Sequence, residues 1–127
     1  MKIGLTNVYV HDPLTAFTFY TETLGFVKKF FIPEAYLAIV ASPEDPNGTA
    51  LLLEPNNNPI ASTYQKALYE AGLPVIVFTV DNNIEAEYER LKGLGVVFRN
   101  EPKQTEWGIE AVFEDGCGNL VQLHQII

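Results

Sequence analysis

The chain repeats itself. An offset of 70 residues lays Val80 on Val10, Ala86 on Ala16, Leu94 on Leu24, Gly95 on Gly25 and Leu123 on Leu53. The identities are thin, but the order of element types repeats with them. A fold that satisfies both halves is built from two copies of one supersecondary unit, each copy needing the same local structure.

In the first copy, Leu5–Val10 reads as a strand. Asp12-Pro13 then opens a helix, because Asp suits the N-cap and Pro the first helical position. Ala16, Phe17, Phe19, Tyr20 and Leu24 supply an apolar face at helical spacing, and Gly25 ends it through a left-handed cap. Strands follow over Phe26–Ile32, Ala35–Ser42 and Thr49–Glu54, with Pro43–Gly48 as a turn. In the second copy Val75–Val80 is a strand of mostly β-branched and aromatic residues. Asp81 or Asn82 caps a helix to about Leu94, whose apolar side is Ile84, Tyr88, Leu91 and Leu94. Gly95 closes it. Strands follow at Val96–Arg99, Ile109–Glu114 and Leu120–Gln125, the last two joined by the hairpin turn Asp115–Asn119.

The fold class is therefore α+β: two tandem β-α-β-β-β modules. A ferredoxin-like arrangement has fewer strands per helix and is disfavoured. The expected organisation is one domain over 1–127, with module 1 over about 1–55 and module 2 over about 74–127. Between them lie a polar loop, Pro55–Pro59, and an extra helix near Ile60–Ala71 that Gly72 terminates.

With 127 residues the chain is long enough to bury a core without staples. Asp and Glu number 16 against 8 Lys and Arg, a formal charge of −8. That balance argues against nucleic acid and anionic membranes, which need a basic footprint. Cys117, the single cysteine, excludes an intramolecular disulfide and fits a reducing compartment. Met1–Asn7 shows no leader pattern, and no apolar run nears the ~20 residues of a membrane helix. The expectation is a soluble, cytoplasmic protein.

Three stretches carry a resemblance: Val10-His11-Asp12 with Ala16, Phe19-Tyr20 and Leu24-Gly25-Phe26; Val80-Asp81 with Leu91 and Leu94-Gly95-Val96; and the tail Phe113–Leu123. Together they resemble the vicinal-oxygen-chelate superfamily (glyoxalase, bleomycin resistance protein, extradiol dioxygenase), across essentially the whole chain. Gly116 stands where the family usually has Pro. The resemblance implies a glyoxalase/bleomycin-resistance fold, its tandem modules forming a cleft, and two-fold homodimers. The superfamily hosts lyases, isomerases, dioxygenases, thiol transferases and non-catalytic drug binders, so fold alone does not select function.

The resemblance also implies metal ligands, His, Glu or Gln, at positions that fall on Leu5, Leu52, Val75 and Gln122. Three of these are aliphatic, and one amide oxygen holds no metal, since a catalytic zinc takes three protein ligands and harder cations about six donors. No cofactor is expected. Strand alternation puts Leu5, Asn7, Tyr9, Ala50, Leu52, Glu54, Val75, Val77, Thr79, Gln122 and His124 toward the cleft. This lining, apolar with a few polar groups, is how a small-molecule pocket is composed.

Glu54 and His124 fall on each other in the repeat. They are either an acid–base or ion pair in the pocket or two solvated strand ends. Trp107 either stacks on a flat ligand or plugs the domain edge. His11 belongs to an exposed loop. Phe30, Phe31 and Tyr36 lie on the early strands, and Cys117 has no basic neighbour to make it a nucleophile. Two functions follow. One is a metal-independent module binding an apolar or aromatic small molecule. The other is an enzyme: a glyoxalase-like lyase or dioxygenase with a displaced Zn, Ni, Mn or Fe site on Glu54, His124, Gln122 and Asn7, or a metal-free acid–base enzyme using Glu54 and His124.

Overall fold

The computed structural model describes residues 1–127. Its elements run in the expected order twice. The first run is β1 (Leu5–Val10), α1 (Pro13–Thr18), β2 (Val27–Ile32), β3 (Leu37–Ser42) and β4 (Asp45–Pro55). Then comes α2 (Pro59–Glu70). The second run is β5 (Ile76–Thr79), α3 (Ile84–Gly93), β6 (Lys103–Thr105), β7 (Gly108–Glu114) and β8 (Leu120–Gln125). The strands form two four-stranded sheets of the same topology, β1-β4-β3-β2 and β5-β8-β7-β6. In each, the first strand lies parallel to the last, and the remaining pairs are antiparallel. The chain groups into two compact units, Met1–Gln65 and Lys66–Ile127. No helix is long and apolar enough to cross a membrane.

In the first unit α1 begins where the sequence predicts. Asp12 accepts from the Leu14 amide at 3.0 Å and from the Thr15 hydroxyl at 2.9 Å, and Pro13 occupies the first turn. The helix then widens into a π-helical turn over Phe19–Thr23. Gly25 and its repeat mate Gly95 both take φ of 91°, a value that a side chain resists, so the two helices are stopped alike. Val8, Val10, Ala38, Val40 and Leu53 form the core against α1 with Ala16 and Tyr20. Phe17 stacks on Phe31 with centroids 4.1 Å apart, which takes Phe31 to the helix side.

In the second unit Ile84, Tyr88 and Leu91 of α3 pack over β7 and β8, where Ala111, Phe113, Val121 and Leu123 are buried. Phe98 joins them edge-on to Tyr88, with centroids 4.6 Å apart.

Several local expectations are corrected. The α3 cap is Asn83, not Asp81 or Asn82: Asn83 takes the left-handed φ of 57° that Asn tolerates, and its side chain accepts from Ala86 N at 3.2 Å. Leu94 lies past the helix end and is exposed. Val96–Arg99 forms only an isolated bridge, Phe98 to Phe113, and the paired strand is β6, which begins four residues after Arg99. The turn expected over Pro43–Gly48 narrows to Pro43-Glu44, because Asp45 already pairs with Ser42. Tyr36 is not in a strand; it sits exposed in the β2–β3 turn with φ of 49°.

Candidate functional site

Each sheet covers one face with helix and leaves the other open. In the first sheet, β1 and β4 set Leu5 opposite Ala50, Asn7 opposite Leu52 and Tyr9 opposite Glu54. Since alternate residues point to opposite faces, Val8, Val10 and Leu53 take the helix side and these residues the open side. The middle row continues across the sheet from Leu52 to Ile39 to Phe30. Leu5 keeps 51% of its surface exposed and Phe30 54%. The polar feature of the face is a single pair: Asn7 Nδ2 donates to Glu54 Oε2 at 3.0 Å. Buried Gln65 anchors the end of β1, donating to the Tyr9 carbonyl at 2.8 Å while its own oxygen accepts from Asn56 at 2.6 Å.

The open face of the second sheet is more polar. One row runs Val77, Gln122, Val112; the next runs Thr79, His124, Glu110, Lys103. Gln122 Nε2 donates diagonally to Glu110 Oε2 at 3.0 Å. His124 Nε2 lies 3.0 Å from the Trp107 carbonyl oxygen. Val75 stands just ahead of β5, its amide donating to the Leu120 carbonyl at 2.9 Å. The turn before β8 is organised by buried Asp115, which accepts from the Cys117 amide at 2.7 Å and from the Asn119 amide and side chain at 3.0 and 2.8 Å. Cys117 is buried in that turn.

Trp107 is 74% exposed, so it does not plug an edge. His11 is exposed, as expected. Glu54 and His124, matched by the repeat, are engaged separately: Glu54 by Asn7 on its own sheet, His124 by the Trp107 carbonyl on the other. Glu110 is the polar group that sequence reasoning missed. The signal was there: a hairpin closing on Glu114 and Leu120 sets residue 110 opposite 124 by counting back.

At the far end of β7, Glu114 accepts from the Tyr69 hydroxyl at 2.7 Å and from Arg99 Nε at 3.2 Å. The Tyr69 hydrogen bond, then that of Arg99, holds the Glu114 carboxyl below its ordinary range against the opposing effect of burial. Arg99 is raised in turn, by Tyr69 first and Glu114 next.

The donor chemistry does not fit the metal that the resemblance implies. Leu5 and Leu52 on the first sheet and Val75 just ahead of β5 carry only hydrocarbon, and the Gln122 amide already donates to Glu110. No group of three or more His, Cys, Asp or Glu side chains is gathered where an ion could be held.

Two repeated β-α-β-β-β units, each a four-stranded sheet with one face open, define the glyoxalase/bleomycin-resistance fold. The chain belongs to the glyoxalase/bleomycin resistance protein/dioxygenase superfamily, whose sequence profile matches residues 2–123. It is similar to YurT of Bacillus subtilis (strain 168), 47% identical over 128 residues that cover 98% of this chain and 99% of that protein. Among solved structures it is similar to UcmS2, with a TM-score of 0.79, 30% identity and coverage of 98% and 97% of the two chains. It is also similar to TnmS3, an antibiotic binding protein from Streptomyces sp. CB03234, with a TM-score of 0.75, 27% identity and coverage of 100% and 97%.

Proposed function

We propose that this protein binds a small, mostly apolar or aromatic molecule on its open sheet surface and needs no metal ion to do so. The observation that carries the reading is the first sheet's open face, where Leu5, Leu52, Ile39 and Phe30 form continuous apolar rows with two of the four more than half exposed. Contiguous exposed apolar surface rimmed by polar groups marks a binding site, because leaving it in water is unfavourable by about 25 cal/mol for each Å². On that face positions 5 and 52 carry hydrocarbon where the resemblance implies metal ligands in metal-dependent members. The likeness to an antibiotic binding protein supports the binding of a small molecule.

The test is a thermal-shift panel of planar aromatic and aliphatic compounds, neutral and cationic, run in a chelating buffer. A ligand present at a hundred times Kd stabilises the folded state by about 2.7 kcal/mol. At least one compound class is expected to raise Tm in a saturable way. A flat response across the panel contradicts the reading.

A further inference from the structure

We propose that the molecule bound on the first sheet's open face carries a positive charge, which Glu54 receives. This rests on the binding reading above and adds the ligand's chemical class: an apolar or aromatic body bearing an ammonium or guanidinium group.

Glu54 is half-buried on β4, and its neighbours on the open face are all neutral. Tyr9 stands opposite it on β1, and the row of Leu52, Ile39 and Phe30 lies beside it. Asn7 donates one hydrogen bond, which orients the carboxylate but brings no countercharge. The chain's ion pairs, Lys66–Glu70, Arg90–Glu87 and Arg99–Glu114, do not involve it. The two lysines of this sheet are directed elsewhere. Lys28 lies in the row of buried Val40, on the helix side, and Lys29 donates to the Pro46 carbonyl at 3.2 Å.

The second sheet shows the contrast. Glu110 also accepts from a side-chain amide, that of Gln122, but its cross-strand partners are Lys103 and His124, both able to carry positive charge. Opposite charges across a sheet stabilise each other. Glu54 has no such partner. A carboxylate offers about four lone-pair positions, so several remain beyond the one Asn7 uses. Beside apolar side chains, a cation is attracted more strongly than in bulk water. The chain's net charge of −8 further favours approach of cations.

The experiment is calorimetric titration at low ionic strength with a matched pair of probes, naphthylmethylammonium chloride and the neutral naphthalenemethanol. The ammonium is expected to bind roughly tenfold more tightly, the scale of one charge-assisted hydrogen bond. In Glu54→Gln the two probes should bind alike. Glu89→Gln, which removes the same charge from an exposed position of α3, should keep the preference. Equal affinities in the unaltered protein, a preference that survives Glu54→Gln, or one lost equally in Glu89→Gln would overturn the inference and leave the binding reading standing. Binding of neither probe would overturn both.

Discussion

His124 Nε2 lies 3.0 Å from the carbonyl oxygen of Trp107, and the glycine that follows Trp107 is what leaves room for the ring. At Gly108, with φ of 143°, a Cβ would stand 2.2 Å from the Gln125 carbonyl oxygen and 2.8 Å from His124 Nε2. Gly108→Ala therefore has to shift backbone, not just a flexible side chain. It is expected to cost about 2–4 kcal/mol, as strained-backbone and overpacking changes do, and to move His124. Chemical denaturation checks the cost, and the His124 ring resonances report the displacement. A variant of unchanged stability would mean that β7 and β8 are spaced more loosely than described.

Leu5 separates binding from folding. It is 51% exposed on the open face, so Leu5→Asp gives up only part of a leucine's burial and should cost about 1 kcal/mol of stability. If the apolar rows hold the ligand, the same substitution should weaken binding of any compound found by thermal shift by roughly tenfold, about 1.4 kcal/mol. Calorimetry on the variant decides, and an unchanged Kd would take Leu5 out of the site.

Tyr36 stores strain. It is exposed and holds a left-handed φ of 49°, which glycine adopts freely and tyrosine does not. Tyr36→Gly is expected to raise stability by about 1 kcal/mol, read as a higher denaturation midpoint at constant slope. Destabilisation would show that the ring makes contacts worth more than the strain.

The acid limb of stability should carry the signature of Glu114. Its carboxyl is held below the ordinary carboxylate range, first by the Tyr69 hydroxyl and then by Arg99. A depressed folded-state pKa contributes stability that is complete above the unfolded value and lost as pH falls through the folded one. Stability should thus be level above about pH 5 and decline as acid is added below the unfolded value of Glu114. Tyr69→Phe removes the larger cause, so the Glu114 pKa should rise and the acid decline should shrink. Denaturation at a series of pH values, with carboxyl chemical shifts for Glu114, measures both; an unmoved Glu114 titration in Tyr69→Phe would refute the assignment.

What the sequence revealed and what it hid divide along a physical line. Asp12-Pro13, Gly25 and Gly95 are legible because caps are local chemistry, and the repeat carries that chemistry to both halves. The α3 cap is not legible: Asp81, Asn82 and Asn83 can all cap. The choice of Asn83 leaves the Ile84 amide to donate to Gln125 Oε1 at 2.7 Å, a partner 41 residues away. The segment after Gly95 fails for the same reason. Val97 and Arg99 exchange hydrogen bonds with β7, but the ladder breaks before it extends, and nothing local marks that break. On the open faces, alternation alone placed Leu5, Asn7, Leu52 and Glu54. The pairing of Asn7 with Glu54 needed the parallel register, and that of Gln122 with Glu110 needed the hairpin register. The repeat aligned Glu54 with His124, and each hydrogen-bonds within its own half: Glu54 with Asn7, His124 with the Trp107 carbonyl.

Whether a metal ion takes part in binding is decided by comparing ligand binding with and without metal. One compound that stabilises the protein is titrated by calorimetry into protein exhaustively treated with EDTA. The titration is then repeated after adding Zn²⁺, Ni²⁺, Mn²⁺ or Fe²⁺ in turn. Metal-independent binding gives the same Kd, within about twofold, in every titration, since a hydrocarbon-lined surface offers the ions no ligand set. Binding that disappears in EDTA and returns with one of these ions would contradict it.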